Sequence, residues 1–63
     1  MKLWISRDKD GLTLFEDKPD YHDLTNIFRG EVYAYLPEDS FPEVTFENSP
    51  REVELKLVEK WTI

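Results

Sequence analysis

The 63-residue sequence has no cysteine and only two glycines. Without cysteine, neither a disulfide framework nor a thiolate metal site can supplement the core, and nothing points to an oxidising compartment. Two glycines are too few for a phosphate-binding loop of the G-x-G-x-x-G or Walker type. Side-chain packing must therefore hold the chain together. With 40% hydrophobic and 14% aromatic residues, we expect one small β domain over residues 1–63.

Histidine is also scarce, which limits the catalytic and metal-binding sites that the chain can form. The single histidine, His22, lies in the acidic stretch DYHD, a context typical of a solvated loop. No G-x-S-x-G elbow accompanies it, and among 14 acidic residues some pairs at useful spacing arise by chance. A domain of this size also rarely encloses a ligand-sized pocket. We therefore expect a non-enzymatic protein with no catalytic residues, no metal site and no cofactor.

Basic residues are outnumbered by acidic ones, 8 against 14, and the net charge is −6. Because contacts to phosphate need a basic face, direct binding to DNA or RNA is disfavoured. A basic partner is electrostatically easier. The charge also has a simpler interpretation, since a small acidic protein gains solubility from it.

Long hydrophobic runs are missing too, and none approaches the length of a membrane-spanning helix. The first residues, MKLWISRD, reach charged side chains after only a few apolar ones. That stretch is too short for the core of a signal peptide. These two features predict a cytoplasmic protein that does not bind membranes.

Alternation is the main pattern that the sequence does contain. Apolar residues recur at spacing two, the strand period, in five short stretches separated by glycine and proline. The predicted fold class is all-β: a small antiparallel sheet of about five strands, arranged as a meander or an SH3-like partial barrel. The alternating residues are Leu3 and Ile5; Leu12 and Leu14; Val32, Ala34 and Leu36; Val44 and Phe46; and Val53, Leu55 and Leu57.

Residues 23–29 depart from this pattern. Leu24, Ile27 and Phe28 recur at the helical spacing i, i+3, i+4, and Asp23 stands where a capping residue belongs. A short helical turn is predicted here, with a loop as the alternative. If the turn were a full helix packed on the sheet, the fold class would be α+β.

The stretch SRDKDGLTLFED, residues 6–17, fits two structures. As an EF-hand calcium loop it would supply Asp8 and Asp10 as ligands around Gly11, but it keeps only two of four expected ligands, and its flanks alternate instead of forming helices. A β-hairpin explains every residue. Asp8 then accepts a local backbone hydrogen bond, which asparagine could also accept, and Gly11 adopts a positive φ.

The register of this hairpin follows from its aliphatic residues. A three-residue loop would place those of the two strands on opposite faces, whereas a four-residue loop over 8–11 puts all of them on one face. We therefore predict the four-residue loop. The expected cross-strand pairs are Arg7 with Leu12, Ile5 with Leu14, and Trp4 with Phe15.

The same register leaves the sheet with a second face that is aromatic. Either the sheet curls, or residues 20–30 and the Trp61 tail cover it, so that the rings complete the core. Alternatively, the rings form an exposed patch with an acidic rim, a composition typical of protein-binding surfaces. This alternative predicts a protein-binding or assembly module that contacts a protein partner or a second copy. The candidate partner-binding residues are Trp4, Phe15, Tyr33 and Tyr35.

Two stretches, KLWISRDKDGLTLFEDKP and LPEDSFPEVTFENSPREVEL, resemble small uncharacterised acidic proteins of Bacteroides-type gut bacteria and of their phages and mobile elements. They cover more than half of the chain but not residues 20–29. No activity is known for that family, so the resemblance assigns no role to any residue. It implies a mobile-element setting, which favours a binder of a host or phage protein. An acidic nucleic-acid mimic that inhibits a DNA-binding host protein is the alternative function.

Overall fold

The computed structural model describes residues 1–56, and this part of the chain forms six β-strands and no helix. The predicted all-β fold class is therefore confirmed. Among these residues, no helix has the length and apolar character needed to cross a membrane. The strands are β1 (Lys2–Asp8), β2 (Gly11–Phe15), β3 (Asp20–His22), β4 (Ile27–Arg29), β5 (Val32–Leu36) and β6 (Arg51–Glu54).

Strands β1 and β2 form a central hairpin in the predicted register. The predicted four-residue loop over 8–11 is wrong, because Asp8 pairs with Gly11 and only Lys9 and Asp10 form the turn. The Asp8 carboxylate accepts a hydrogen bond from the Asp10 N–H at 2.9 Å, and Gly11 has a φ of 122°. Both features were expected of a hairpin turn, because Asp closes such turns locally and glycine tolerates positive φ. The confirmed cross-strand pairs are Trp4 with Phe15, Ile5 with Leu14, and Arg7 with Leu12.

The hairpin lies at the centre of a four-stranded antiparallel sheet with the strand order β5-β2-β1-β6. This order differs from a meander, because the outer strands β5 and β6 are not neighbours of β2 and β1 in sequence. Over the described residues the sheet stays open, with β5 and β6 as its two edges.

The first face of this sheet carries the aliphatic core. Ile5 and Leu12 are buried there against Val44, which comes from the loop of residues 37–50 between β5 and β6. The prediction of a strand at Val44 and Phe46 is wrong. The carbonyl of Val44 accepts a hydrogen bond from the Arg7 side chain at 2.6 Å, so this group does not belong to a strand ladder.

A second sheet, the β3–β4 hairpin, packs against the other face. It replaces the helical turn predicted near residues 23–29. That prediction failed because Leu24 is 97% exposed at the tip of the hairpin, so the helical spacing did not mark a buried face. Asn26, with a φ of 55°, ends the turn in the left-handed region that asparagine tolerates.

Close contacts hold the β3–β4 hairpin to the main sheet. The Phe28 N–H donates to the second carboxylate oxygen of Asp8 at 2.8 Å. Gly30 lies so near Pro19 and Phe15 that an added Cβ would be 3.3 Å from the Cα of Pro19. The hairpin therefore covers the part of the second face that contains Phe15. Three rings, those of Tyr21, Phe28 and Phe46, join it to the 37–50 loop with centroid separations of 5.5–5.9 Å.

The last strand, β6, ends at Glu54, whereas the alternation in the sequence predicts a strand over residues 51–58. Leu57, assigned to that strand, and Trp61, assigned to a tail covering the sheet, lie outside the described residues.

Candidate functional site

The four aromatic residues predicted as a partner-binding face do not form one surface. Phe15 is only 3% exposed and belongs to the interior, because the β3–β4 hairpin covers it. Trp4 is half-buried, and the Lys18 ammonium lies 5.7 Å from the centroid of its ring. In contrast, Tyr33 and Tyr35 are 45% and 77% exposed. The exposed part of the predicted face is thus confined to β5.

Strand β5 has the sequence VYAYL, in which β-branched and aromatic residues favour the extended conformation. Its inward residues Ala34 and Leu36 pair with Leu14 and Leu12 of β2 and extend the aliphatic face of the sheet. This pairing fixes β5 at one edge and leaves Tyr35 on the second face.

The direction of the backbone groups in β5 follows from one hydrogen bond. Glu16 N–H donates to the Glu31 carbonyl at 2.9 Å, so the even-numbered residues of β2 turn their backbone groups toward β5. Because this direction alternates along a strand, Leu14 bonds to its partner Ala34. Tyr35, the next residue, therefore directs its N–H and C=O away from the sheet, where an added strand could reach them.

A β-bulge gives Tyr33 a separate position. Leu14 pairs with Ala34 and Phe15 with Val32, which leaves Tyr33 as an extra residue on β5. A bulge increases the local twist and re-aims the side chain that it carries. Tyr33 and Tyr35 are both exposed, although the ladder is interrupted at Tyr33, between Val32 and Ala34.

The two edges of the main sheet differ in charge. Three of the four residues of β6 are charged: Arg51, Glu52 and Glu54. None of the five residues of β5 is charged. Proteins protect exposed edges with charges, prolines, bulges or a covering segment. By this measure β6 is well protected, whereas β5 has only the bulge at Tyr33.

Acidic residues border β5 at both ends. Glu31 precedes the strand and is hydrogen-bonded through its carbonyl to Glu16 of the neighbouring segment. Glu38 and Asp39 follow it after Pro37. We call the outer side of Val32–Leu36, with Tyr33 and Tyr35, the β5 edge, and these four acidic residues its acidic ends.

A polar cleft of about 420 Å³ adjoins Tyr35. Asp8, Asp10 and Thr13 contribute to its wall together with Arg29, the only basic residue among the described residues that line it. Both oxygens of the Asp8 carboxylate accept backbone N–H groups, from Asp10 and from Phe28. The cleft therefore places one positive and two negative side chains beside the β5 edge.

The 37–50 loop is fixed by a residue that the sequence did not mark as important. Arg7 projects from the aliphatic face, and its guanidinium donates four hydrogen bonds, all to backbone carbonyls. Its own backbone N–H donates to the Ser49 hydroxyl at 2.9 Å. In the sequence, Arg7 follows Leu3 and Ile5 at spacing two, so a charged side chain stands at an inward-facing position of β1. This feature could have revealed the role of Arg7. The four acceptors are the carbonyls of Val44 (2.6 Å), Glu38 (2.8 Å), Ser40 (2.7 Å) and Phe41 (3.2 Å).

Between this loop and the first face runs an apolar groove of about 550 Å³. Aliphatic side chains form most of its wall, and Glu43 and Arg51 contribute charge. These two charged groups come from different segments, the 37–50 loop and β6, so the groove offers no set of matched polar contacts. Its apolar lining residues are Leu3, Ile5, Leu14, Leu36, Phe41, Val44, Val53 and Leu55.

Acidic residues are found on both faces of the main sheet. Glu52 and Glu54 pair with Trp4 and Lys2 on the second face, while Glu43 lines the groove on the first. Mimicry of a phosphate backbone needs carboxylates in a row on one surface. The described residues do not show such a row on β6, where a lysine and a tryptophan oppose the two glutamates.

Comparison of the chain with protein-family models, curated proteins and solved structures found no match. The β5 edge therefore stands as the candidate site on its geometry alone. It combines outward backbone groups, two exposed tyrosines and an absence of charge within the strand, bounded by the acidic ends.

Proposed function

We propose that the protein is a small non-enzymatic binding module that contacts a protein partner through the β5 edge. One observation carries this proposal: β5 is an edge strand without a charged residue, and it exposes Tyr33 and Tyr35. Uncharged edge strands are templates for pairing with another chain. Tyrosine is enriched at protein interfaces and among the residues that dominate their energetics.

Binding would take place by strand addition. An extended segment of the partner would exchange backbone hydrogen bonds with Tyr35, each contributing about 1 kcal/mol net. Its alternate side chains would pack on the rings of Tyr33 and Tyr35, and tyrosines that become fully buried in an interface commonly contribute about 2 kcal/mol or more. The backbone bonds supply affinity, and the rings supply selectivity.

The double substitution Tyr33→Ser and Tyr35→Ser tests this function. Both side chains are largely exposed, so we expect the variant to keep its melting temperature within a few degrees while it loses partner binding. The immobilised protein would be incubated with cell lysate, and the proteins retained by wild type and variant compared by quantitative mass spectrometry. Leu24→Ser is the matched control, because it removes an exposed apolar side chain from the distant tip of the β3–β4 hairpin.

A partner retained by wild type and Leu24→Ser but lost from the tyrosine variant is the expected result. Equal retention by all three proteins would contradict the proposal. So would a tyrosine variant that unfolds, because the two rings would then be part of the core.

A further inference from the structure

The charges around the β5 edge identify the chemistry of its partner. Resting on the proposed function, we infer that the strand added to β5 is an extended segment of a different protein, uncharged at its centre and carrying Lys or Arg at both ends. The centre of the segment would pair with a strand that has no charge, and its ends would lie beside the acidic ends of β5.

The acidic ends carry this inference. At the start of β5, the hydrogen bond between Glu16 and Glu31 keeps two acidic residues side by side. At the other end, Glu38 and Asp39 follow each other in the chain. A strand that spans the whole of β5 must therefore reach acidic residues at both of its ends, and basic residues there would gain electrostatic attraction.

A second copy of this chain meets the opposite situation. An antiparallel pairing of two β5 strands centred on Ala34 places Glu31 of one copy opposite Pro37 of the other, next to Glu38. A parallel pairing places Glu31 beside Glu31 and Glu38 beside Glu38. Both arrangements bring like charges together, which is unfavourable in paired strands. The same acidic ends that attract a basic segment thus oppose self-association.

The basic residues near β5 do not cancel this field. Arg29 shares its cleft with Asp8 and Asp10. Arg7 lies beneath the 37–50 loop, where its guanidinium bonds to backbone carbonyls, and its one positive charge is set against the two negative charges of Glu38 and Asp39. Acidic groups outnumber basic ones in both places.

Selection from a peptide library tests the inference. The probe is a phage library of random peptides of about nine residues, long enough to cover the five residues of β5 and both acidic ends. Selection is made on the wild-type protein, with Tyr35→Pro used to remove peptides that bind elsewhere. Proline removes the outward N–H of Tyr35 and is tolerated at the solvent-facing N–H positions of edge strands. If Tyr35→Pro fails to fold by circular dichroism, Tyr35→Lys replaces it, because lysine also protects edges.

We expect the selected peptides to have uncharged centres and Lys or Arg toward both ends. Their affinity should fall about fivefold in the double variant Glu31→Gln and Glu38→Gln, as expected for the loss of two exposed ion pairs. It should also fall when NaCl is raised from about 50 to about 300 mM. The matched control is Glu52→Gln with Glu54→Gln, which removes the same charge from β6 and should change affinity less than about twofold.

The other outcomes separate the inference from the proposed function. Selected peptides with uncharged or acidic ends that still require Tyr35 would leave the binding function intact and overturn the basic partner. Dimerisation in sedimentation experiments that Tyr35→Pro abolishes would do the same, because it makes a second copy the occupant. If no peptide remains after depletion on Tyr35→Pro, the β5 edge binds no strand, and both proposals fail.

Discussion

Arg7 illustrates how one side chain can position a loop that has no regular structure. A guanidinium carries five N–H donors in a planar arrangement, and in Arg7 four hydrogen bonds reach the carbonyls of the 37–50 loop. The loop contains Pro37, Pro42 and Pro50, and none of these has an N–H to offer to a ladder. The arginine therefore supplies donors to loop carbonyls that a strand partner would otherwise satisfy.

Replacement of Arg7 by lysine should destabilise the protein by about 2–3 kcal/mol, because the charge stays but the planar array of N–H donors is lost and loop carbonyls lose their donor. This is a large part of the stability of so small a domain. Urea denaturation followed by tryptophan fluorescence measures it. Arg51→Lys is the control: Arg51 is exposed on β6, and the expected change is below about 0.5 kcal/mol. Equal losses in both variants would show that the hydrogen bonds to the loop contribute little.

At the scale of elements, the sequence pattern correctly predicted those strand pairings that depend on residues close together in the chain. The β1–β2 register followed from the need to place the aliphatic residues of both strands, such as Ile5 and Leu14, on one face, a constraint that lies within a dozen residues. The β3–β4 hairpin was missed because Leu24 stands at helical spacing from Ile27 and Phe28, although its side chain is exposed to solvent. Val44 was assigned to a strand because its alternation is real, but Arg7, distant in sequence, takes its carbonyl.

The candidate site was predicted in part for the same reason. Tyr33 and Tyr35 were identified from alternation, yet Phe15 and Trp4 were grouped with them. The interpretation that residues 20–30 cover the second face is correct for Phe15, but only the position of the β3–β4 hairpin, set by contacts such as that between Phe28 and Asp8, distinguishes it from the exposed patch. The edge position of β5 was beyond prediction too, because it depends on a strand order that joins segments far apart in the chain.

Asp8 connects two elements, so the expectation that asparagine could replace it needs revision. One carboxylate oxygen accepts the turn N–H of Asp10, and the other accepts the N–H of Phe28 in β4. An asparagine amide keeps one acceptor and presents N–H donors at the second position. Asp8→Asn should therefore cost about 1 kcal/mol and loosen the β3–β4 hairpin selectively.

Amide hydrogen exchange measured residue by residue tests this coupling. We expect the Phe28 amide to exchange faster in Asp8→Asn, while amides of the central hairpin such as Ile5 change little, because local opening requires less free energy than global unfolding. Asp10→Asn serves as the control, since only the backbone N–H of Asp10 takes part in the turn. A uniform increase at all amides would instead mean that the turn, and not the docking of β4, depends on Asp8.

At the scale of the whole molecule, small size explains why the aromatic face is divided. A chain of 63 residues buries a modest fraction of its surface on folding, so it can cover only some of its large rings. Phe15 and Phe28 are accordingly buried, and Trp4 is half-buried. The tyrosines of β5 lie beyond the reach of the β3–β4 hairpin cover and stay exposed, although their rings are as large as those in the core.

The difference between the two edges sets how many partners one molecule can hold. Strand addition at β5 should stop at a single segment, because β6 at the opposite edge carries Arg51, Glu52 and Glu54 and resists pairing. Isothermal titration of the protein with a selected peptide should thus give one site per chain, and a ratio of two peptides per chain would contradict this.

A sheet that accepts a strand at one edge only is monovalent. Monovalence determines whether a binding protein can link several partner molecules. Such a molecule cannot crosslink partners or extend a fibre, because no further strand can be added after it to the sheet that it joins. Under the proposed function, the protein would therefore cap the sheet of its partner. Bound to the free edge of another protein, this chain would occupy a position where further strands could otherwise have assembled, and would present the charged β6 in their place.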